Sequence, residues 1–316
     1  MKRLITIGLV VGMLMCSLVQ VNAADAHMDP NWADKEWESA FAGAKLVKTT
    51  VVNEYDLLVM EEAQMLKTGS RKVVVDNGAG RYLQDKIKLS NTELLNDGFT
   101  MDEIDILRTY NGGLLSENPQ LRSLFSEMSG SLYVRDHEPS RMEAMFSWQW
   151  TDVPFIINNT NEDLVVCGFI GVDDNNYYCD VETDSSMVTG MAYYYDTETG
   201  ENTGGRQLTE DVSDMSYKAS VDIELVDRLT ASNTIVWAKR GYMKVAIRDS
   251  VGANVLASST FAFGYAHATV EASPSVDVVI GNGIGIGVIL DFANASQEMY
   301  SGSIIINADG TYEVIE

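Results

Sequence analysis

The sequence predicts an α+β protein in which a mainly helical N-terminal region, residues 24–140, precedes an antiparallel β-sandwich of the Ig-like or jelly-roll type, residues 141–316. Before residue 140, apolar side chains recur at the intervals of amphipathic helices. After it, about eight short segments alternate apolar and polar residues, with turn residues and no helical pattern between them. A polar stretch that contains Pro139, residues 136–141, marks the predicted boundary.

The first 23 residues have the pattern of a secretory signal peptide. Lys2 and Arg3 precede a long apolar run. Val21 and Ala23 then place small residues at the −3 and −1 positions of a cleavage point before Ala24. We expect a secreted, extracellular product; an uncleaved anchor is the alternative, because the apolar run approaches spanning length. No later segment has the ~18 apolar residues of a spanning helix, so no transmembrane span is expected in the mature chain.

Start signals locate the helices of the N-terminal region. Ser90 with Glu93, and Thr100 with Glu103, form two capping boxes, in which each side chain satisfies a backbone N–H at the helix start. Pro119 suits the first turn of a further helix, because its missing N–H has no partner there in any case. Helices without capping boxes are predicted at residues 54–67 and 119–128.

Alternation predicts the strands of the second region. Residues 146–151 alternate rings with polar groups, which is typical of a half-buried strand. Glycine occupies every second position of residues 281–287, so another element can approach that backbone closely. We expect it to pack inside the protein; an oligomer contact or a ligand groove is the alternative. The other predicted strands are residues 164–172, 187–195, 217–225, 235–248, 255–270, 276–292 and 303–314.

Charge excludes two classes of partner. The chain has 22 Lys and Arg against 46 Asp and Glu, a formal net charge of −24. Such a body repels phosphate backbones, so we expect no nucleic-acid binding, and an anionic bilayer is a poor partner.

Catalytic motifs are scarce. The sequence has three His and neither a GxSxG nor an HExxH motif, which leaves a Ser or Cys nucleophile without an evident base. Carboxylate pairs for sugar hydrolysis are available among so many acids, but the sequence singles out none of them. The pattern therefore favours a binding role over an enzymatic one.

Two cysteines remain after the predicted loss of Cys16 with the signal peptide. Cys167 and Cys179 flank a turn-like segment, and an even pair in an oxidising compartment usually forms a bridge. We therefore predict a disulfide between them; two free buried thiols are the alternative.

Aromatic side chains are the first candidates for contacting a ligand. Trp148 and Trp150 share one face of a predicted strand, and flat rings can stack on sugars. The polar opposite face favours a core position for both. The remaining candidates are Tyr177, Tyr178 and Tyr194.

A run of acidic residues is the second candidate site. Residues 143–205 contain twelve Asp or Glu and no Lys or Arg. Asp173, Asp174, Asn175 and Asp180 offer the hard oxygen ligands that Ca²⁺ takes, and extracellular modules bind calcium in this way. Calcium is thus the one cofactor that the pattern suggests; a solvated acidic face is the alternative.

These observations favour an exported binding or surface-interaction protein, assisted by calcium, whose extracellular ligand is a glycan or a protein. A carbohydrate-active enzyme on a jelly-roll is one alternative. A secreted membrane-active toxin is another, with the glycine-alternating strand as its inserting segment, although strong acidity counts against it. The sequence predicts no oligomeric state.

Overall fold

The computed structural model describes residues 32–68, 78–155, 162–175, 177–183, 186–213, 217–229, 234–250, 255–268, 276–283, 285–292 and 296–315. The predicted signal peptide, residues 1–23, lies outside these ranges. The chain divides into two units, Met1–Ala40 and Phe41–Glu316. In the described part of the chain, no helix is both long and apolar enough to cross a membrane.

The helices lie almost entirely before residue 125. The α-helices are α1 (Trp32–Ala40), α2 (Glu54–Thr68), α3 (Gly78–Lys86), α4 (Asn91–Asn96) and α5 (Met101–Leu107). Two 3-10 helices follow, Leu115–Glu117 and Pro119–Leu124. The unit Met1–Ala40 contributes α1, and the other helices belong to the second unit.

Both predicted capping boxes are confirmed. The backbone N–H of Ser90 donates to Glu93 at 2.7 Å, while the Glu93 N–H donates back to the Ser90 hydroxyl. Thr100 and Glu103 form the same reciprocal pair at the start of α5. The two boxes fix the starts of α4 and α5, which then bury Leu94 and Ile104 in one small core.

Two buried glutamates of α2 form hydrogen bonds with backbone N–H groups of later chain segments. Glu54 is completely buried, and one of its oxygens accepts the backbone N–H groups of Ser126 at 2.9 Å and Phe155 at 3.0 Å. Glu62 accepts the N–H of Leu115 at 2.8 Å at the start of a 3-10 helix. A hydrogen bond within a protein contributes about 0.5–1.5 kcal/mol to stability, so these contacts hold α2 against the chain segments that supply the three N–H groups.

The described strands form two large antiparallel sheets and one two-stranded sheet. The strands are β1 (Lys45–Asn53), β2 (Glu127–Glu138), β3 (Arg141–Trp150), β4 (Asp163–Val172), β5 (Tyr178–Cys179), β6 (Val181–Glu182), β7 (Val188–Asp196), β8 (Asn202–Gln207), β9 (Glu210–Ser213), β10 (Lys218–Ile223), β11 (Val226–Leu229), β12 (Thr234–Asp249), β13 (Ser258–Ala268), β14 (Val276–Gly283), β15 (Gly285–Phe292), β16 (Ser296–Asn307) and β17 (Tyr312–Ile315). The first sheet has the strand order β1-β2-β3-β12-β7-β8, with β6 and β11 also paired to β12. The second sheet has the order β17-β16-β13-β4-β10-β9, with β5 paired to β4.

The two sheets pack face to face through aromatic side chains, as the prediction of an α+β sandwich requires. Phe146 of β3 lies 6.0 Å from Phe263 of β13, measured between ring centroids. Trp148 lies 5.8 Å from Tyr265 in the same way. All four side chains are completely buried. The alternation in residues 146–151 therefore predicted the inward face correctly.

Two predicted elements differ from the structure. The predicted helix at residues 119–128 ends at Leu124, because Met128 is already the first-sheet partner of Trp150. The predicted strand at residues 276–292 is a hairpin, β14 and β15, in which Gly281 is the partner of Gly287. Within the hairpin, β15 lies against β4, β13 and β16 of the second sheet.

The helical region also supplies two strands to the first sheet. β1 pairs with β2, with Thr49 opposite Ser131, and β2 pairs with β3. The stretch that contains Pro139, residues 136–141, forms the turn of the β2–β3 hairpin. The division of the chain into folding units at residue 140 stays a prediction.

Candidate functional site

The structure separates the five aromatic residues that the sequence proposed as ligand contacts. Trp148 and Trp150 are completely buried between the sheets, so neither ring is a platform for a sugar. Tyr177 and Tyr178 are 71% and 46% exposed, just beyond the C-terminal end of β4. Tyr194 lies in β7 and is 2% exposed. The candidates therefore form a core pair, an exposed pair and one isolated ring.

Asp173 uses its carboxylate within its own turn. One of its oxygens accepts the backbone N–H of Asn175 at 2.8 Å and that of Tyr177 at 2.9 Å, and these bonds hold the pKa of Asp173 below its ordinary value. Within the described ranges, no group of three or more His, Cys, Asp or Glu side chains is placed to hold a metal ion. The structure thus does not gather Asp173, Asp174 and Asp180 into the calcium site that the sequence suggested.

The predicted disulfide is wrong: Cys167 and Cys179 are both free, buried thiols. The register of the sheet explains this. Cys179 is the partner of Gly171 across β4 and β5, four residues along β4 from Cys167. Four residues of a strand span about 13 Å, whereas bridged cysteines have Cα atoms about 4.4–6.8 Å apart. Burial raises the pKa of both thiols.

A buried polar network crosses the sandwich near the start of β4. Asp163 accepts the Tyr265 hydroxyl at 2.6 Å, His267 Nδ1 at 2.9 Å and the backbone N–H of Ala268 at 2.8 Å. The Trp150 indole N–H donates to the Tyr265 oxygen at 3.3 Å, which links the first sheet to the second. Asp163 and His267 are each 1% exposed, so this arrangement satisfies core polar groups away from solvent.

A cleft of about 330 Å³ lies where the chain crosses from β8 in the first sheet to β9 in the second. We call it the edge cleft. Its volume is at the lower end of the range for small-ligand sites, about 300–1,000 Å³. The residues that line it are Glu162, Tyr194, Arg206, Gln207, Leu208, Thr209, Asp222 and Glu224.

Short segments of both sheets bring these side chains together. Glu162 directly precedes β4, and Asp163 is the partner of Ile223 at the end of β10. Asp222 and Glu224 flank Ile223, so all three carboxylates of the cleft lie where the start of β4 pairs with the end of β10. Tyr194 and Arg206 come from the first sheet. The cleft is therefore acidic on one side and has a Tyr–Arg pair on the other.

Arg206 and Tyr194 stack on each other. The guanidinium carbon lies 4.1 Å from the centroid of the Tyr194 ring, a cation–π distance. Arg206 also lies 2.7 Å from the Asp227 carboxylate and 3.9 Å from that of Glu224. The Tyr194 hydroxyl donates to the Glu224 backbone carbonyl at 2.8 Å. These contacts fix both side chains in place before any ligand arrives.

The carboxylates of the edge cleft repel one another. Partial burial raises the pKa of Asp222, and the charges of Glu162 and Asp211 raise it further. Partial burial also raises the pKa of Glu224, to which the charge of Asp227 adds. A raised pKa means that the ionised form is disfavoured, so a bound cation or a shared proton would relieve the strain. Arg206 offsets part of this charge at Glu224, and Lys218 offsets part of it at Asp222.

Sequence reasoning missed the edge cleft completely. Glu162, Asp222 and Glu224 are ordinary acids in an acidic chain, and no spacing links residue 162 to residues 222 and 224. Only Tyr194 was among the predicted ligand contacts. The signal that existed was the position of Arg206, a lone basic residue after a stretch of more than sixty residues without one.

Comparisons with known proteins add no assignment. No protein-family model and no curated protein matches the chain. One solved structure, described as "AvmM Catalyzes Macrocyclization in Alchivemycin A Biosynthesis", aligns with 51% of this chain and 80% of its own, at 6% identity and a TM-score of 0.19. Similarity at this level carries no argument about the fold or function of this chain.

Proposed function

We propose that this chain is an exported binding protein that takes a positively charged group of its ligand in the edge cleft. The observation that carries the proposal is the raised pKa of both Asp222 and Glu224 inside a concave site. Perturbed titratable groups in a cleft are typical of functional sites. Burial raises these pKa values most and repulsion between the carboxylates adds to it, and a cationic group would stabilise the ionised carboxylates against both effects.

An organic cation fits the cleft better than a metal ion. The described carboxylates do not form a three-ligand metal cluster, whereas a cleft of about 330 Å³ has room for an amine or guanidinium with its carbon chain. Gln207 and Thr209 supply hydrogen-bonding groups beside the carboxylates. An amine carries three donors, which suits several separate acceptors.

A carbohydrate-active enzyme is the second candidate. Asp222 and Glu224 also favour this candidate, because a carboxyl group with a raised pKa can serve as a general acid beside an ionised carboxylate. In such an enzyme, Tyr194 and Arg206 would orient the sugar. Measuring binding and hydrolysis on the same protein separates the two candidates.

Thermal unfolding with spermidine tests the binding proposal. A ligand at 100 times its dissociation constant stabilises by about 2.7 kcal/mol, which raises the melting temperature of a chain of this size by several degrees. NaCl at matched ionic strength controls for screening of the net charge. The double variant Asp222→Asn/Glu224→Gln should lose the spermidine-specific shift, and Glu198→Gln/Glu201→Gln, exposed acids of another turn, should keep it.

Equal shifts with spermidine and NaCl would contradict a cation site. A glycan array, with each bound glycan then assayed for hydrolysis, tests the enzyme candidate. Hydrolysis that disappears in Glu224→Gln would replace the binding proposal by the enzymatic one. Export has its own test: the intact mass of the secreted product should correspond to a chain that begins at Ala24, and retention of residues 1–23 would contradict cleavage.

A further inference from the structure

We propose that the exposed tyrosines at the end of β4 form a docking surface for a positively charged segment of a partner protein. We call this surface the tyrosine loop and define it by Asp173, Asp174, Tyr177, Tyr178 and Asp180. It lies at the opposite end of β4 from Glu162 and the edge cleft, about 30 Å away along the ten residues of the strand. It is therefore a second surface, independent of the proposed function.

Hydrogen bonds hold the described residues of the tyrosine loop in place. Asp173 accepts the backbone N–H groups of Asn175 and Tyr177, and its own N–H donates to the Tyr177 carbonyl at 2.9 Å. Tyr178 is then the strand partner of Val172. A preorganised backbone presents its side chains to a partner at a lower cost in conformational entropy.

Two large rings project from this fixed backbone. Tyr177 is 71% exposed, the largest exposed fraction among the exposed large hydrophobic side chains of the described chain, and Tyr178 is 46% exposed. Exposing the apolar surface of an aromatic ring to water is unfavourable in free energy, and Tyr is enriched at the centres of protein interfaces. Val255, 51% exposed, lies three residues before the β13 partner of Val172 and adds apolar surface at the same end.

The charge around the rings is negative. The carboxylates of Asp173, Asp249 and Asp180 all act on Cys179, where their charges add to burial in raising the pKa of the thiol. The backbone N–H of Ser250 donates to the Asp180 carbonyl at 2.8 Å, which joins the end of β12 to the tyrosine loop. Arg248, the cation of β12 at this end, pairs with Glu182.

Charge complementarity selects the partner. A Lys or Arg side chain can lie over a Tyr face and bind a carboxylate at the same time, and cation–π contacts at exposed sites add affinity to the ion pairs. A neutral glycan would use the rings but gain nothing from the carboxylates. An anionic surface would be repelled.

Peptide binding by the full chain tests the proposal. The probe is a fluorescein-labelled Gly-Arg-Gly-Lys repeat peptide of sixteen residues, measured by fluorescence anisotropy in ~150 mM NaCl to screen long-range attraction. We expect Tyr177→Ala/Tyr178→Ala to weaken binding about tenfold, because it removes two cation–π contacts. The variant Tyr177→Phe/Tyr178→Phe keeps both ring faces and should bind as the wild type does.

Charge variants separate the tyrosine loop from general acidity. Asp174→Asn/Asp180→Asn should weaken peptide binding several-fold, and Glu198→Gln/Glu201→Gln, which removes the same charge elsewhere, should not. Equal losses in these two variants, or no loss in the alanine variant, would overturn the proposal. Loss of binding in Asp222→Asn/Glu224→Gln would place the peptide in the edge cleft and overturn it as well. Binding of a glycan that depends on Tyr177 and Tyr178, in place of the peptide, would identify a sugar site instead.

Discussion

Asp163 and His267 face each other at the ends of β4 and β13, with His267 Nδ1 2.9 Å from an Asp163 carboxylate oxygen. Both side chains are 1% exposed. The Asp163 carboxyl group thus pairs with the imidazole at Nδ1 and also accepts the Tyr265 hydroxyl and the Ala268 N–H. His267 is therefore a hydrogen-bonded core residue of the second sheet.

Removing Asp163 should therefore destabilise the sandwich strongly. Asp163→Ala leaves His267 Nδ1, the Tyr265 hydroxyl and one backbone N–H without their partner, and each buried polar group left unsatisfied costs about 1–3 kcal/mol. Urea unfolding followed by tryptophan fluorescence measures the change. Asp105→Ala, an exposed position in α5, is the control and should change stability by less than about 0.5 kcal/mol. A loss below ~1 kcal/mol for Asp163→Ala would contradict the role of the network.

The close approach of two strands at Gly241 gives a second prediction. A Cβ atom at this position would overlap the Trp148 ring and the backbone carbonyl of Met191. Because the carbonyl belongs to the paired strand β7, it cannot move without breaking the sheet. We expect Gly241→Ala to cost about 3 kcal/mol or more, since overpacking a core typically costs ~1–3 kcal/mol even where side chains can yield.

Gly205→Ala is the matched control for Gly241→Ala. Its Cβ would lie 3.2 Å from the end of the Met191 side chain and 3.2 Å from the Tyr193 ring, with no backbone atom among its nearest neighbours. The flexible Met191 can yield, so the cost should be clearly smaller. Equal losses of unfolding free energy in the two variants would contradict the close packing of Trp148 on the sheet.

Local signals predicted the local parts of this fold. The capping boxes at Ser90 and Thr100 and the inward rings of β3 depend on residues within a few positions of one another, and each was found where the sequence placed it. β1 escaped prediction because its partner is distant: Lys45 pairs with Val134, far along the chain. The edge cleft was missed for the same reason, since Glu162 and Glu224 meet only through the pairing of β4 with β10.

The predicted disulfide is wrong for a different reason. Paired cysteines of exported proteins usually form a bridge, but the sequence contains no information on the distance between Cys167 and Cys179. The register of β4 and β5 keeps Cys167 and Cys179 apart, so we expect both to be titrated as thiols by Ellman's reagent in denaturant without reductant. In the native protein both should react slowly, because burial raises their pKa values and keeps them protonated near neutral pH. Absence of thiols in the denatured, unreduced protein would reinstate the bridge.

The last prediction concerns Glu61 on α2. Burial raises the pKa of Glu61 from 4.5 to about 7. The folded protein therefore holds this proton more tightly than the unfolded chain does, so the contribution to stability is present below pH 4.5 and is lost as the pH rises through about 7. Glu61→Gln keeps the shape and cannot ionise, so its melting temperature should exceed that of the wild type at pH 8.

Well below pH 4.5, the wild-type carboxyl is protonated in both the folded and the unfolded state, and the two melting temperatures should approach each other there. Asp105→Asn, an exposed acid of α5, provides the control for general loss of negative charge and should show no comparable gain between the two pH values. If Glu61→Gln is less stable than the wild type at pH 8, the carboxylate makes a favourable contact in its ionised form. The pH dependence would then arise from a partner of Glu61 rather than from burial.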